Sequence, residues 1–180
     1  MNNKLNQIFS NFYTTSECEE LSYYIENYVK VSKMYYRQEE LGRYYASVSE
    51  RYMADCIGGF PEKLLKKTMK FAEDHFQVKN LYLFDIVFIG YSNKDSLVPR
   101  LSDHKDNGSI TKHTIDYQYK SNINWPLRID GKEFLLNNND AVTFLGSNQM
   151  HGRPDRIFKD GEYLENIFFQ FIEKRDKNDK

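Results

Sequence analysis

From residue 80 onward, the chain is a series of short segments rich in β-branched and aromatic residues, separated by tight turns. Leu81–Ile89 is almost entirely apolar and predicts a central strand. Asp130-Gly131 lies between two further segments and predicts a hairpin. The predicted strands cover residues 81–89, 109–119, 127–129, 133–136, 141–145 and 164–172. Short strands with tight turns are typical of a β-sandwich or a jelly-roll, and we expect one over residues 80–173.

Residues 1–79 have the pattern of helices. Apolar side chains recur at helical spacing around Leu21–Val29, and Ser16 with Glu19 has the spacing of a capping box. A second helix is predicted over Glu39–Ile57, and a third begins after Pro61, which suits a first helical turn. We therefore predict one α+β domain over residues 1–180. Its parts are a helical brace (1–79), the jelly-roll core (80–173) and a frayed charged tail (174–180).

Composition narrows the classes of function. The chain has 180 residues, of which 40% are hydrophobic, enough to bury a core. Its net charge of −1 provides no field that attracts nucleic acid or an anionic membrane. No apolar run is long enough to cross a bilayer, and the N-terminus lacks the pattern of a secretory signal. Cys18 and Cys56 favour reduced thiols, although one disulfide is the alternative. We expect a cytoplasmic protein without nucleic-acid or membrane partners.

Two short motifs carry the chemistry. Asp103-His104-Lys105-Asp106 contains a His-x-Asp pair, and Met150-His151-Gly152-Arg153 contains a single histidine followed by an arginine. Two neutral imidazoles and one carboxylate occupy one face of Fe(II) and leave the opposite face open for other ligands. The alternative for His104 is a surface-loop histidine paired with a neighbouring aspartate. The other histidines, His75 and His113, are expected to be structural.

The ordered set of motifs resembles the iron(II)/2-oxoglutarate-dependent oxygenases, in particular their prolyl 4-hydroxylase-like branch. The residues that carry the resemblance are His104-Lys105-Asp106-Asn107, Trp125-Pro126-Leu127, Asn139-Asp140 with Ala141–Gly146, His151-Gly152-Arg153, and Gly161 with Ile167–Phe171. The resemblance implies a double-stranded β-helix with His104, Asp106 and His151 as catalytic metal ligands. It also implies Fe(II), 2-oxoglutarate as co-substrate, and dioxygen. Because Asp106 is a carboxylate rather than a small residue, the resemblance implies hydroxylation and not halogenation.

The chain departs from this family at the residue that grips the far carboxylate of 2-oxoglutarate. Many members have Arg or Lys about nine or ten residues after the second histidine, where this chain has Lys159–Leu164 and two nearby acids, Glu162 and Glu165. Arg153 is the best replacement, because guanidinium forms a bidentate fork on a carboxylate. Further candidates for the co-substrate site, with Trp125 as a possible wall of the pocket, are Lys112, Arg128, Arg156, Lys159 and Arg100.

The predicted function is hydroxylation of an unactivated C–H bond of an amino acid, a prolyl peptide or another small substrate. Two alternatives belong to other classes. A non-redox jelly-roll of the cupin kind would bind a metal or ligand without 2-oxoglutarate. A structural β-sandwich would leave the two histidines and Asp106 scattered on its surface. The sequence alone indicates neither the substrate nor the oligomeric state.

Overall fold

Two antiparallel sheets form the body of the protein. The computed structural model describes residues 5–32, 35–38, 43–48, 59–92, 99–108 and 110–173. The strands within them are β1 (Ile8–Phe9), β2 (Tyr36–Gln38), β3 (Arg43–Val48), β4 (Leu81–Ser92), β5 (His113–Ser121), β6 (Leu127–Ile129), β7 (Lys132–Phe134), β8 (Ala141–Leu145), β9 (His151–Gly152) and β10 (Tyr163–Glu173). The larger sheet has the order β1-β8-β5-β10-β4-β3-β2, and the smaller has the order β7-β6-β9.

The strands predicted beyond residue 80 are all present. β4 and β10 are the longest and pair side by side near the centre of the larger sheet. The predicted hairpin joins β6 to β7, with Ile129 opposite Lys132. Its two turn residues, Asp130 (φ 49°) and Gly131 (φ 78°), both have the positive φ that a type I′ turn requires. Turn chemistry therefore determined the register of this hairpin.

Two of the three predicted helical segments are confirmed. α1 (Thr15–Tyr24) continues as a π-helical turn over Ile25–Val29. Its capping box is formed by Thr14 and Glu17, so the sequence-based choice of Ser16 and Glu19 is wrong by two residues. α2 (Glu62–Phe76) begins immediately after Pro61, as predicted.

The helix predicted over Glu39–Ile57 is wrong where the structure describes it. Arg43–Val48 form β3, which pairs with β4 over Ile86–Tyr91. This segment contains adjacent tyrosines and a valine, which favour strands, and the edge of β4 offers unpaired backbone groups. β1 and β2 add further strands from the region predicted to be a purely helical brace. Residues 39–42, 49–58 and the tail 174–180 lie outside the described part of the chain.

The two faces of the larger sheet pack against different layers. One face shares a core with the helices, and this core includes Ile167, Phe169 and Phe171, which alternate along β10. The opposite face packs against the smaller sheet through Phe144 and Phe168, among others. Alternation along a strand thus directs every second residue of β5 and β10 into the space between the sheets. No helix in the described ranges is long and apolar enough to cross a membrane.

Candidate metal centre

His104, Asp106 and His151 lie together at one edge of the space between the sheets. Their ligand atoms are all within 4.8 Å of one another. The Oδ1 atom of Asp106 is 4.0 Å from Nε2 of His104 and 3.7 Å from Nε2 of His151. Two imidazole nitrogens and one carboxylate oxygen are the donor set of the facial triad that binds non-haem Fe(II). The residues present therefore fit this metal.

Backbone hydrogen bonds hold the two histidines side by side. His104 N donates to His151 O over 2.9 Å, and His151 N donates to His104 O over 2.8 Å. This pair forms an isolated antiparallel bridge, while His151 also begins β9 and pairs with β6. The ring centroids are 4.4 Å apart. Because main-chain pairing sets this separation, the site does not depend on ordering long, flexible side chains.

A backbone carbonyl orients each imidazole ring. Nδ1 of His104 lies 2.8 Å from Ser102 O, and Nδ1 of His151 lies 3.1 Å from Gln149 O. Since a carbonyl only accepts, each contact selects the neutral tautomer that carries its proton on Nδ1. The Nε2 lone pairs, which face Asp106, are then available to a metal.

A strand residue and a loop backbone position the Asp106 carboxylate. Asp106 N donates to Gly146 O over 2.9 Å, and Nε2 of Gln170, on β10, donates to Asp106 Oδ2 over 2.9 Å. Oδ2 is thereby occupied, and Oδ1 is the oxygen that faces both imidazoles. A hydrogen bond from the central sheet thus fixes which carboxylate oxygen is offered to the metal.

Gly146 provides the space that this carboxylate occupies. A Cβ at this position would overlap Asp106 Oδ2 and lie 2.8 Å from Thr114 Oγ1. We expect Gly146→Ala to displace Asp106 and weaken binding of Mn²⁺ or Ni²⁺ by about 10–100-fold, the usual effect of disturbing a group beside a metal ligand. Calorimetric titration of the metal measures this change. The control is Asn148→Ala, in the same turn with an exposed side chain; equal affinities in both variants would contradict the expectation.

A cavity of about 270 Å³ opens beside the three side chains. Its apolar wall comes mainly from Val87 and Ile89 on β4, Phe144 on β8 and Phe168 on β10. Its polar lining, apart from the triad, consists of Arg43, Asp85, Asn107, Lys112, Thr114 and Gln170. An apolar pocket with a few polar groups and a cluster of potential metal ligands has the properties of a small-molecule site.

The electrostatic setting of His151 suits a metal ligand. Burial lowers the pKa of this imidazole, and the neighbouring His104 lowers it further. The carbonyl of Gln149 and the carboxylates of Asp106 and Asp103 act in the opposite direction, without reversing the shift. The net effect favours the neutral ring, which is the form that coordinates a metal.

No protein-family profile and no curated protein sequence matches the chain, but solved structures match its fold. A prolyl hydroxylase from Trichoplax adhaerens, solved with a hypoxia-inducible-factor peptide, has a TM-score of 0.63 and 13% identity and covers 96% of this chain and 85% of its own. A Pseudomonas putida prolyl-4-hydroxylase has a TM-score of 0.60 and 12% identity, covering 94% and 92%. HygX from Streptomyces hygroscopicus, solved with nickel and 2-oxoglutarate, has a TM-score of 0.65 and 9% identity, covering 96% and 84%.

The chain has the fold of the 2-oxoglutarate- and iron-dependent oxygenases. This fold is a double-stranded β-helix, which is the architecture that the sequence resemblance implied. At these identities the likeness establishes the oxygenase fold alone. The chemistry of the protein must be argued from its own side chains.

Arg153, the first candidate for the co-substrate anchor, is buried and is not among the residues that line the cavity. Only 2% of the residue is exposed. Its Nη1 donates to the carbonyl of Trp125, and its Nη2 lies 3.7 Å from Asp116 Oδ2. Burial lowers the pKa of this guanidinium, whereas the Asp116 carboxylate raises it. Because side chains alternate along β5, Asp116 lies on the same face of the strand as Thr114, which lines the cavity.

The remaining candidates for the co-substrate site fall into two groups. Lys112 lines the cavity, with its Nζ 5.0 Å from the centre of the Phe84 ring. Arg128 and Trp125 point elsewhere: Arg128 pairs with Asp103 over 3.1 Å, and the Trp125 indole is buried and donates to Pro154 O. Further residues that do not line the cavity are Arg100, Arg156 and Lys159. Of all these candidates, only Lys112 reaches the cavity.

Gln170, Thr114 and Asp116 received no role from the sequence, although the structure places them at or beneath the site. Gln170 interrupts the apolar run Ile167–Phe171, whereas Thr114 and Asp116 are the polar positions of the alternating strand β5, and all three lie on buried strands. A buried polar side chain needs a partner, so its presence in a central strand is a usable signal.

The two remaining histidines lie outside the metal cluster. His75 is within hydrogen-bonding distance of Thr143 Oγ1 and packs among aromatic rings. His113 shares its strand parity with Ile115, which belongs to the helix-side core, so it points away from the cavity. Structural roles were predicted for both histidines, and both lie in contacts outside the candidate site.

Proposed function

We propose that the protein is an Fe(II)/2-oxoglutarate-dependent dioxygenase that hydroxylates an unactivated C–H bond of an amino acid, a prolyl peptide or another small substrate. One observation carries the proposal: two imidazoles and a carboxylate converge at a cavity inside an oxygenase fold. In a structural sandwich the same residues would be scattered over the surface, whereas here they lie together.

His104, Asp106 and His151 would hold the iron. When bound together with 2-oxoglutarate and dioxygen, iron supplies the oxidising power for hydroxylation, while the co-substrate is converted to succinate and carbon dioxide. The protein contributes orientation: backbone carbonyls fix the imidazole tautomers, and Gln170 fixes the carboxylate. The apolar wall of Phe144 and Phe168 excludes water from the reacting atoms.

Arg153 would bind the far carboxylate of 2-oxoglutarate. Its Nε and Nη2 atoms are buried and have no hydrogen-bond partner in the described part of the protein, which leaves a donor pair of the kind that grips a carboxylate. Its ion-pair partner Asp116 lies on the same face of β5 as Thr114, which lines the cavity, so the guanidinium is beneath the site.

The polar lining of the cavity suits a small substrate with both charged and neutral groups. Arg43 and Lys112 are cationic and Asp85 is anionic, and all three line the same cavity. A free amino acid or a short peptide presents complementary groups to such a lining. The Trichoplax relative, solved with a peptide, supports the peptide alternative.

The test combines binding with turnover. Anaerobic addition of Fe(II) and 2-oxoglutarate should produce a weak visible charge-transfer band, and aerobic incubation should release succinate when free amino acids or short proline-containing peptides are screened. Saturation with an inert metal at about 100 times its Kd should add about 2.7 kcal/mol of stability. For a chain of this size, that corresponds to an increase in Tm of roughly 5–10 °C.

The same assays separate the alternatives. Metal binding without the 2-oxoglutarate band would favour a non-redox cupin-like domain. An unchanged Tm with every metal would contradict a preformed site and favour a structural sandwich.

A further inference from the structure

A buried polar cluster lies beneath the cavity, and the function proposed above uses one of its three members, Arg153. It consists of Asp116 on β5, Asn166 on β10 and Arg153 just after β9, each with 2% or less of its surface exposed. Asn166 Nδ2 donates to Asp116 Oδ1. Arg153 Nη2 and Asp116 Oδ2 are 3.7 Å apart, an ion-pair distance that is too long for a hydrogen bond.

The cluster contains unused hydrogen-bonding capacity on both sides of this ion pair. Four polar atoms have no hydrogen-bond partner among the described residues: Asp116 Oδ2, Asn166 Oδ1, and the Nε and Nη2 atoms of Arg153. Native interiors rarely leave several buried polar atoms unsatisfied in one place, and such a group calls for a bound partner or a functional reason. Arg153 alone presents two free donors, which a carboxylate can satisfy.

A second carboxylate at Arg153 would meet Asp116. Both acids would then lie against one guanidinium in a place that water does not reach. Two carboxylates that share such a site do not both stay ionised, because burial and their mutual repulsion both favour protonation of one of them. The carboxylate that the protein itself supplies is Asp116.

We propose that Asp116 competes with the far carboxylate of 2-oxoglutarate for Arg153, so that the keto diacid binds together with one proton held by Asp116. This inference rests on the proposed function and adds to it a residue that sets co-substrate affinity and specificity. A keto monoacid such as pyruvate has no second carboxylate and binds without that proton.

The environment of Asp116 makes its carboxyl group easier to protonate. Burial raises the pKa of the Asp116 carboxyl to about 6, although Arg153 and the hydrogen bond from Asn166 act to lower it. The other titratable group facing Asp116 is Tyr91 on β4, whose own pKa is raised by burial. The neighbouring strands β8 and β10 add only uncharged register partners, Val142 and Phe168.

The sign of the pH effect follows from this competition. As pH rises, Asp116 ionises and holds Arg153, so 2-oxoglutarate must displace a like charge and its affinity falls. With a pKa of about 6, the protonated fraction decreases by about 50-fold between pH 6 and pH 8. The ratio of 2-oxoglutarate affinity to pyruvate affinity should decrease by the same factor, because protonation of the metal ligands affects both acids equally.

Calorimetric titration of the Ni²⁺-loaded protein tests this proposal without any turnover. Each keto acid is titrated at pH 8 in two buffers with different ionisation enthalpies, which yields the number of protons taken up. We expect 2-oxoglutarate to take up about one proton more than pyruvate. Asp116→Asn should remove this difference and raise 2-oxoglutarate affinity at pH 8 by about 100-fold, because only about one hundredth of Asp116 is protonated there.

The control is Asp155→Asn, which makes the same charge change at an exposed site near Arg153 and should retain the extra proton. Equal proton uptake for both acids by the unaltered protein would overturn the inference, whether or not the Asp116 variant folds. If neither acid binds the metal-loaded protein, the proposed function fails and this inference fails with it. Binding without the extra proton overturns the inference alone.

Discussion

His104→Ala is expected to abolish Fe(II)-dependent succinate formation while leaving the protein folded. In the proposed site the imidazole would supply one of three metal ligands, yet 43% of its side chain is exposed, so its removal leaves little buried cavity. Disturbing an outer neighbour of a ligand already costs about 10–100-fold in metal affinity. Losing the ligand itself should therefore weaken metal binding by more than about 100-fold. Metal titration and a succinate assay measure the two effects.

The chain supplies a matched control for this experiment. Lys105 lies between His104 and Asp106, and its side chain is exposed. Lys105→Ala should retain both metal binding and succinate release. Asp106→Ala should behave like His104→Ala, and full turnover in either ligand variant would remove the triad from the mechanism.

Arg153→Met is expected to destabilise the protein strongly at pH 8. The change removes the cation that faces Asp116 and leaves a fully buried carboxylate without its ion-pair partner. Removing one member of a buried pair typically costs about 3–5 kcal/mol. The loss should be smaller at pH 5, because Asp116 can then be neutralised by a proton. Urea unfolding at the two pH values measures both quantities.

A double variant separates charge from packing in this result. In Arg153→Met with Asp116→Asn no buried charge remains, so the double variant should recover part of the stability lost at pH 8. Arg100→Met, at an exposed position, should change little. Strictly additive losses in the double variant would show that Arg153 and Asp116 do not interact.

The same carboxylate gives the unaltered protein a distinct pH dependence. The pKa of Asp116 is raised from 3.8 to about 6 by burial, so the folded state holds the proton more tightly than the unfolded state. Its contribution to stability is therefore most favourable below about pH 4 and decreases as pH rises to about 6, by on the order of 3 kcal/mol. Asp116→Asn should flatten this part of the stability curve.

Local sequence patterns correctly predicted most of the strands and turns after residue 80. The strand Ala141–Leu145 has its predicted bounds, and the Asp130-Gly131 turn forms the predicted hairpin. Both depend on interactions between residues that are near in sequence. The helix expected over Glu39–Ile57 was wrong at Arg43–Val48 for the opposite reason. That segment obtains its backbone partners from β4, which lies far along the chain.

The sequence indicated which residues could bind the metal, but not which side chains surround and orient them. His104, Asp106 and His151 were recognisable because few side chains suit a ferrous ion and because their order resembles a known family. Gln170 was missed as the orienting donor, since only the packing of β10 against the loop at Asp106 brings the two together. Arg153 was selected for its charge, and nothing in its neighbouring sequence indicated that Asp116 would face it.

By itself, the sequence determined which residues can bind a metal, where most strands begin and end, and which turns connect them, because these properties depend on side-chain chemistry and nearby residues. Only the tertiary structure decided that the triad shares one wall of a cavity and that Arg153 is buried against the carboxylate of Asp116. Such contacts join residues tens of positions apart, and their energies depend on burial. Burial exists only once the two sheets have closed over each other.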